Sequence, residues 1–355
     1  MNEVKILHIA DTHIGRKFKS LSPRKAASRG SEVLMTLEDT IKRFSDADIV
    51  LLAGDIFEED AALSHVDFVC NLFSANSHRH FFISCGNHDC RESAVIKALC
   101  DRKPENVTVF SDTIEKVTID DLKVCVYGVS FSAPGAYASL LTGFAAEESD
   151  YLQIMVMHGD LNAASAYNPV STSDIGKSRL DYLALGHVHS FSGFNTCMGT
   201  SYAYPGVMEP GGFDETGDCG VIYGTVYKGR TELEFYPVST RQYHHITMDI
   251  TKASSNEEVI SKLSEVIVSS HLYKISLTGS PLQFVPDTTL CEDALDAYYV
   301  EVINDCQSSC DILNYCAEAS LRGKTANALL ELKASCSEEV FNKSKEILTN
   351  LMCKD

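Results

Sequence analysis

The chain has 355 residues, a mass of 39.0 kDa and a formal net charge of −19, which arises from 49 acidic and 30 basic residues. This length predicts two domains, and a content of 45% hydrophobic and 22% charged residues excludes a disordered or low-complexity chain. So acidic a protein does not bind nucleic acid through its overall charge. Any site for a polyanion must therefore be a local basic patch or a metal centre.

The sequence contains no segment that predicts a membrane span or a signal peptide. No apolar run approaches the roughly 20 residues that a membrane-spanning helix requires. The apolar stretch at residues 1–10 is too short for the core of a signal peptide and is interrupted by His8. The 13 cysteines, an odd number without a repeating spacing, indicate free thiols. We therefore expect a cytoplasmic protein.

The first two-thirds of the chain alternates short apolar runs with amphipathic stretches. The runs are rich in Val, Ile and Leu, which is typical of strands buried on both faces. They span residues 4–10, 49–53, 81–85, 124–129, 151–157 and 182–185. Apolar residues at helical spacing predict helices at residues 33–44 and 63–73. The alternation predicts a layered α/β domain in which helices cover a sheet.

The pattern changes after residue 190, where Gly, Pro and aromatic residues become frequent. Residues 219–227 and 231–236 predict two strands joined by a turn. Beyond residue 244 we expect strands at residues 246–250, 272–278 and 297–303, a helix at residues 256–268, and helices at the C-terminus. The sequence therefore predicts a first domain at residues 1–243 and a small α+β domain at residues 244–355.

Polar side chains directly follow five of the apolar runs. Sites in open α/β sheets form at the carboxyl ends of strands, so we expect these groups to converge on one edge of the sheet. The set of candidate metal ligands contains two carboxylates, four imidazoles and one amide oxygen: Asp11, His13, Asp55, Asn87, His158, His187 and His189. Such a set suits Mn²⁺, Fe or Zn²⁺.

Seven ligands exceed what one tetrahedral ion needs and fit two ions that share a bridging carboxylate. Two such ions would clamp the attacking and leaving oxygens of a displacement at phosphorus. They would also lower the pKa of a bridging water, which would supply a hydroxide nucleophile near neutral pH. The ligand set therefore predicts a two-metal phosphoesterase.

Five blocks of this sequence, in this order, resemble the calcineurin-like metallophosphoesterases. They are Asp11-x-His13, Gly54-Asp55, Gly86-Asn87-His88-Asp89, His158 and Gly186-His187-Val188-His189. The resemblance implies a layered fold of central mixed β-sheets flanked by helices. It also implies that one ion is held by Asp11, His13, Asp55 and His189, and the other by Asp55, Asn87, His158 and His187.

The resemblance further assigns roles to His88 and Asp89. His88 would face the substrate and protonate the leaving oxygen or stabilise charge on the phosphoryl group. Asp89 would orient His88 through a hydrogen bond.

A closer resemblance is to the SbcD/YhaO-type DNA repair exonucleases of that superfamily. It is carried by Tyr204-Pro205-Gly206, by Phe213-Asp214-Glu215 with Gly220, and by Arg241-Gln242-Tyr243. The resemblance implies exonuclease or endonuclease action on DNA, Mn²⁺ as the metal, an SbcC-like coiled-coil ATPase as partner, a homodimer formed by helices near residues 63–73, and a capping role for the second domain.

One position departs from the SbcD pattern. Those nucleases usually carry a histidine three residues after the bridging aspartate, whereas Glu58 stands at this position after Asp55. A glutamate cannot make the same cationic contact with a phosphate, so this departure puts exonuclease activity of the usual kind in question and favours the YhaO-like branch.

A run of basic residues follows the first ligand block. No acidic residue interrupts Arg16, Lys17, Lys19, Arg24, Lys25 and Arg29. In so acidic a chain this run predicts contact with a phosphate backbone, with Arg16, Lys17 and Lys19 as candidate substrate-binding residues. A solvated surface loop is the alternative.

Two other functions remain open at this level. A small-molecule phosphodiesterase or phosphatase could use the same two-metal site, although the arginine that protein phosphatases carry shortly after Gly-Asp is missing after Asp55. A non-catalytic subunit that binds a partner is the second alternative, and the intact ligand set disfavours it.

Overall fold

The computed structural model describes residues 2–281, 284–306 and 312–352. The chain divides into two compact units, Met1–Gln242 and Tyr243–Asp355. None of the helices in the described residues combines the length and the hydropathy that crossing a membrane requires.

Two six-stranded mixed sheets form the first unit. Its strands, in chain order, are β1 (Glu3–Ile9), β2 (Ile49–Ala53), β3 (His80–Ser84), β4 (Val107–Val109), β5 (Glu115–Ile119), β6 (Val124–Val129), β7 (Leu152–His158), β8 (Tyr182–Gly186), β9 (Asn195–Cys197), β10 (Thr200–Ala203), β11 (Gly220–Tyr227) and β12 (Arg230–Pro237). The first sheet has the order β12-β11-β1-β2-β3-β4, and the second has the order β5-β6-β7-β8-β10-β9. Within them, β1 to β4 run parallel to one another, and so do β6 to β8.

Helices lie on the outer side of these sheets. They are α1 (Pro23–Arg43), α2 (Leu63–Ser74), α3 (Ala94–Arg102) and α4 (Thr172–Lys177). Pro23 stands at the start of α1, where its fixed φ suits the first helical turn. Phe73 of α2 stacks on Phe81 of β3 with ring centroids 4.1 Å apart. Ile175 of α4 packs with Leu183 of β8 in a cluster on the outer face of the second sheet. The predicted layered α/β fold with mixed sheets is confirmed.

The main core lies between the two sheets. Ile6, Leu51 and Phe82 of the first sheet are buried in one cluster with Val126 and Ile154 of the second. The expectation of a single sheet edge was wrong, because β1, β2 and β3 belong to one sheet and β7 and β8 to the other. An apolar run buried on both faces looks the same whether helices or a second sheet cover it, so the sequence could not separate these cases.

The second unit alternates strands and helices before ending in two helices. Its elements are β13 (Tyr243–Asp249), α5 (Asn256–Ser264), β14 (Leu272–Thr278), α6 (Thr288–Ala294), β15 (Tyr299–Asn304), a 3₁₀ turn (Ile312–Tyr315), α7 (Leu321–Lys333) and α8 (Glu338–Met352). The three strands are parallel, in the order β13-β14-β15. Val259 and Leu263 of α5 pack on Ile275 and Leu277 of β14.

Candidate metal centre

The loops that follow β1 and β2 pair with each other beyond the ends of the strands. The backbone N–H of Asp11 donates to the carbonyl of Gly54 at 3.1 Å, and that of His13 donates to the carbonyl of Asp55 at 2.9 Å. Asp11, His13 and Asp55 have φ values of 51°, 47° and 50°. This left-handed conformation is unfavourable for residues with a Cβ, and it persists where surrounding structure enforces it, most often at functional sites.

Two glycines of the sequence motifs allow side chains of the centre to press against the backbone. A Cβ at Gly54 would clash with the imidazole of His158, and a Cβ at Gly86 would clash with Oδ1 of Asp55. Any larger residue at either position would displace a candidate ligand. Glycine is thus required here by the close packing of the centre itself.

The candidate ligands meet at the carboxyl ends of strands from both sheets. Ligand atoms of Asp11, His13 and His189 lie within 4.8 Å of one another, and the same is true of Asp11, Asp55 and His158. Asp11 therefore belongs to both groups. Its carboxylate oxygens also accept the backbone N–H of His187, each at 3.1 Å.

Asn87 and His187 complete the set around His158. Oδ1 of Asn87 lies 3.1 Å from Nε2 of His158, and Nδ1 of His187 lies 3.3 Å from the same nitrogen. Oδ2 of Asp55 is 3.4 Å from it. All seven side chains that the sequence selected are thus brought together, while their binding of metal stays a prediction.

Hydrogen bonds on the outer side of three imidazoles fix their tautomers. Nδ1 of His158 lies 3.0 Å from the last carbonyl of β2, Nδ1 of His13 lies 3.0 Å from Glu58, and Nδ1 of His189 lies 2.7 Å from Glu215. Carbonyl and carboxylate oxygens only accept, so Nδ1 carries the hydrogen and Nε2 presents a lone pair to the centre. Nε2 of His13 and Nε2 of His189 face each other at 3.3 Å.

The charges of the centre suit a divalent cation. Burial raises the pKa of Asp11, and the neighbouring Asp55 carboxylate adds to this effect. Burial also lowers the pKa of His158 to about 4, which keeps the imidazole neutral as a ligand must be. Two buried carboxylates and imidazole lone pairs that face each other repel unless a cation lies between them. The donor set therefore fits the divalent ions that the sequence predicts.

The half-exposed imidazole of His88 lies at the edge of this centre. Its Nδ1 is 3.1 Å from Oε2 of Glu58, and its ring centroid is 4.9 Å from that of His13. The hydrogen bond to Glu58 raises the pKa of His88 to about 9. Burial would raise the pKa of Glu58, but its hydrogen bonds to the two imidazoles outweigh burial and lower it. His88 is therefore held as a protonated imidazole beside a carboxylate.

Asp89 does not have the role that the sequence suggested. Its carboxylate is fully buried and accepts three backbone N–H groups, at 2.8, 3.2 and 2.7 Å, from Ile56, Phe57 and Gly86. The expected hydrogen bond between Asp89 and His88 was wrong, because both oxygens of Asp89 accept these backbone N–H groups instead, which connects the loops that follow β2 and β3. The carboxylate at His88 is that of Glu58, which the sequence marked only as a departure from a pattern.

At least three of the six basic residues in the run after β1 are paired with acidic residues. Arg16 makes two hydrogen bonds to Glu215, at 2.9 and 3.0 Å. Lys17 forms an ion pair with Asp60 at the surface, and Lys19 is exposed. Arg29 is fully buried and bonds to Glu209, among other groups. Contact of Arg16, Lys17 and Lys19 with a phosphate backbone stays a prediction.

Glu215 links this basic run to the centre, a role that the sequence did not reveal. Its carboxylate is 2% exposed and joins Nδ1 of His189 to the guanidinium of Arg16. The pKa of Glu215 falls to about 2, because the hydrogen bonds from these two side chains outweigh the effect of burial. The sequence marked Glu215 only as part of the block Phe213-Asp214-Glu215, which resembles the SbcD/YhaO-type nucleases, and gave no role for its carboxylate.

Replacing Glu215 by glutamine is expected to weaken Mn²⁺ binding about 10–100-fold, because partners of this kind orient an imidazole and raise its basicity. Isothermal titration of metal-free protein with Mn²⁺ measures this change. Asp214→Asn is the matched control, since Asp214 is the exposed neighbour of Glu215 and should leave the affinity unchanged. Equal affinities for Glu215→Gln and the unaltered protein would contradict the assignment.

A family model described as calcineurin-like phosphoesterase matches residues 4–191, which is more than half of the chain and includes all seven candidate ligands. The chain belongs to the calcineurin-like phosphoesterase family. Members of this family are metal-dependent hydrolases that use two divalent ions. This phosphoesterase is therefore an enzyme of the hydrolase class, and the family predicted from its sequence motifs is confirmed.

Individual relatives extend the similarity beyond the matched region. The chain is 25% identical over 300 residues to the uncharacterized metallophosphoesterase YhaO of Bacillus subtilis, across 79% of this chain and 71% of YhaO. It is also 25% identical over 279 residues to the DNA double-strand break repair protein Mre11 of Aeropyrum pernix, across 73% of this chain and 66% of Mre11, just under two thirds. The resemblance to YhaO is thereby confirmed.

Among solved structures, TT1561 of Thermus thermophilus matches with a TM-score of 0.41 and 13% identity. The match covers 65% of this chain and 98% of TT1561.

Proposed function

We propose that this phosphoesterase is a two-metal phosphodiesterase that cleaves DNA, of the SbcD/YhaO type. One observation carries the proposal: seven oxygen and nitrogen donors converge beside the half-exposed imidazole of His88, which bonds to the carboxylate of Glu58. The similarity to a protein named for the repair of DNA double-strand breaks supports DNA as the substrate.

The family pattern supports a division of the ligands between two ions. One ion would be held by Asp11, His13, Asp55 and His189, and the other by Asp55, Asn87, His158 and His187. We propose that both ions are Mn²⁺. A mixed set of oxygen and nitrogen ligands suits Mn²⁺, and it also suits Fe and Zn²⁺. When bound, such ions supply positive charge to the phosphoryl oxygens and lower the pKa of an attacking water.

The side chains of the protein then act on protons and orientation. Nδ1 of His88 is engaged by Glu58, so Nε2 is the nitrogen that donates a proton to the leaving oxygen. The carboxylate of Asp55 accepts the backbone N–H of His88 at 2.8 Å, which holds this residue next to the candidate ligands. Asp89 accepts backbone N–H groups from the loop that carries Asp55 and from the loop that carries His88, and so holds the two loops together.

The proposal extends to partners and location. Similarity to YhaO and Mre11 supports an SbcC-like coiled-coil ATPase as partner, a homodimer, and a capping role for the domain predicted at residues 244–355. The 11 cysteines in the described residues are free thiols, which supports a cytoplasmic location.

A small phosphodiester is the second candidate substrate, and one observation favours it. Arg16 and Lys17 are paired with Glu215 and Asp60, so fewer cations near the centre are available for a long polyanion. The same centre could then act on a small diester, which needs fewer contacts along a phosphate backbone.

The test offers Mn²⁺-loaded protein three substrates: linear DNA with free ends, bis(p-nitrophenyl) phosphate and p-nitrophenyl phosphate. We expect DNA to be degraded, and chelation of the metal to stop the reaction. Hydrolysis of the small esters alone would favour the second candidate. A protein that binds Mn²⁺ but hydrolyses none of the three would be a non-catalytic subunit, and the proposal would be wrong. Elemental analysis of protein purified without chelator identifies the metal.

A further inference from the structure

Glu58 joins two imidazoles with different tasks. Its Oε1 lies 3.0 Å from Nδ1 of His13, and its Oε2 lies 3.1 Å from Nδ1 of His88. The His13 side chain is 3% exposed, whereas those of Glu58 and His88 are 21% and 44% exposed. The carboxylate therefore lies between a buried candidate ligand and an imidazole that substrate can reach.

The backbone around Glu58 is held in place. Its N–H donates to the carbonyl of Ile14 at 2.9 Å, and its carbonyl accepts the N–H of Ala61 at 3.0 Å. The loop after β2 is thus attached to the loop after β1, which also carries His13. The side chain of Glu58 consequently starts from a fixed point in the centre.

We propose that Glu58 is a positioning residue that couples His88, the acid for the leaving group, to the candidate ligand His13. This inference rests on the proposed function. One carboxylate offers an acceptor oxygen to each imidazole and has no hydrogen to donate, so Nδ1 of each imidazole carries a hydrogen, and the proton that His88 transfers as an acid is the one on its Nε2. Nε2 of His13 is then free to bind metal, and Nε2 of His88 is directed to the leaving oxygen.

The other carboxylate near His88 cannot replace Glu58. Both carboxylate oxygens of Asp89 accept backbone N–H groups, and the side chain is fully buried. Glu58, His13 and His88 also place three ligand atoms within 4.8 Å of one another. The two short Nδ1 to oxygen distances account for that grouping as hydrogen bonds, without an ion.

Glu58→Gln tests this coupling, because a glutamine amide presents one acceptor oxygen and one N–H₂ donor. The imidazole that faces the amide nitrogen would then meet a second N–H donor at its Nδ1, and this contact either clashes or forces that imidazole into the other tautomer. We expect two effects in Glu58→Gln. Mn²⁺ binding, measured by isothermal titration, should weaken about tenfold through His13. At saturating Mn²⁺, kcat should fall about 100-fold for a dinucleotide, whose leaving alkoxide needs a proton.

The leaving group separates positioning of the acid from general damage. Hydrolysis of bis(p-nitrophenyl) phosphate releases a weakly basic phenolate that needs no proton, so its kcat should fall less than about tenfold. Glu58→Ala should show the same selective loss and serves as the second variant if Glu58→Gln folds poorly. Glu59→Gln is the matched control, since it removes the neighbouring carboxylate and should change neither measurement.

The outcomes distinguish this inference from the proposed function. Equal losses of kcat for the two diesters, or an unchanged Mn²⁺ affinity, would overturn the role of Glu58 while leaving the proposed function intact. If the unaltered protein hydrolyses neither diester, the proposed function is wrong. The coupling of Glu58 to His13 is then decided by the Mn²⁺ titration alone.

Discussion

Replacing Asp55 by asparagine is expected to lower kcat/KM for a phosphodiester on the order of 10³-fold, because the variant keeps the shape of the side chain but loses its charge. Oδ2 of Asp55 lies 3.4 Å from Nε2 of His158, and Oδ1 of Asp55 accepts the backbone N–H of His88. The asparagine carbonyl can keep the second contact. The loss should therefore come from weaker binding of the ions that Asp55 would share.

Elemental analysis alongside steady-state kinetics checks this prediction. We expect Asp55→Asn to hold less Mn²⁺ than the unaltered protein after identical loading. Asp67→Asn is the matched control, because Asp67 is an exposed aspartate of α2 that pairs with Arg102, outside the candidate centre. A variant at Asp55 with full metal content and an unchanged rate would show that Asp55 does not bridge two ions.

Replacing His88 by asparagine should lower kcat for DNA about 10²–10⁴-fold, the usual contribution of a general acid. Asparagine removes the imidazole that Glu58 holds at 3.1 Å and leaves no group of suitable pKa to protonate the leaving oxygen. Mn²⁺ binding should change little, because His88 is not among the seven candidate ligands. Single-turnover cleavage of an end-labelled DNA measures the chemical step.

His78→Asn controls for the loss of a histidine, since His78 is exposed and follows α2, outside the candidate centre. It should cleave DNA at the normal rate. If His88→Asn also cleaves DNA at the normal rate, His88 is not the acid for the leaving group. A large loss of Mn²⁺ in His88→Asn would instead place His88 among the ligands.

Strand positions could be predicted closely from the sequence. The predicted strands at residues 49–53, 124–129 and 272–278 coincide with β2, β6 and β14. Strands β2 and β6 are buried along their whole length, which leaves an uninterrupted apolar run in the sequence, whereas β14 alternates buried and partly exposed residues. Helix α1 was predicted at residues 33–44 but begins at Pro23. Its first turns are mostly polar, and Arg29 is buried there by a long-range ion pair with Glu209 that no local pattern indicates.

The sequence by itself determined which donors this protein offers and in what order, because each candidate ligand lies at the end of a strand or within four residues beyond it, and its chemistry belongs to its own side chain. Only the tertiary structure decided that two stacked sheets supply them and which carboxylate serves which imidazole. Glu58 bonds His88 from 30 residues away, and Glu215 bonds His189 from 26 residues away and Arg16 from 199. Such pairs depend on how loops from separate strands pack, and packing between distant segments leaves no periodic trace in the sequence.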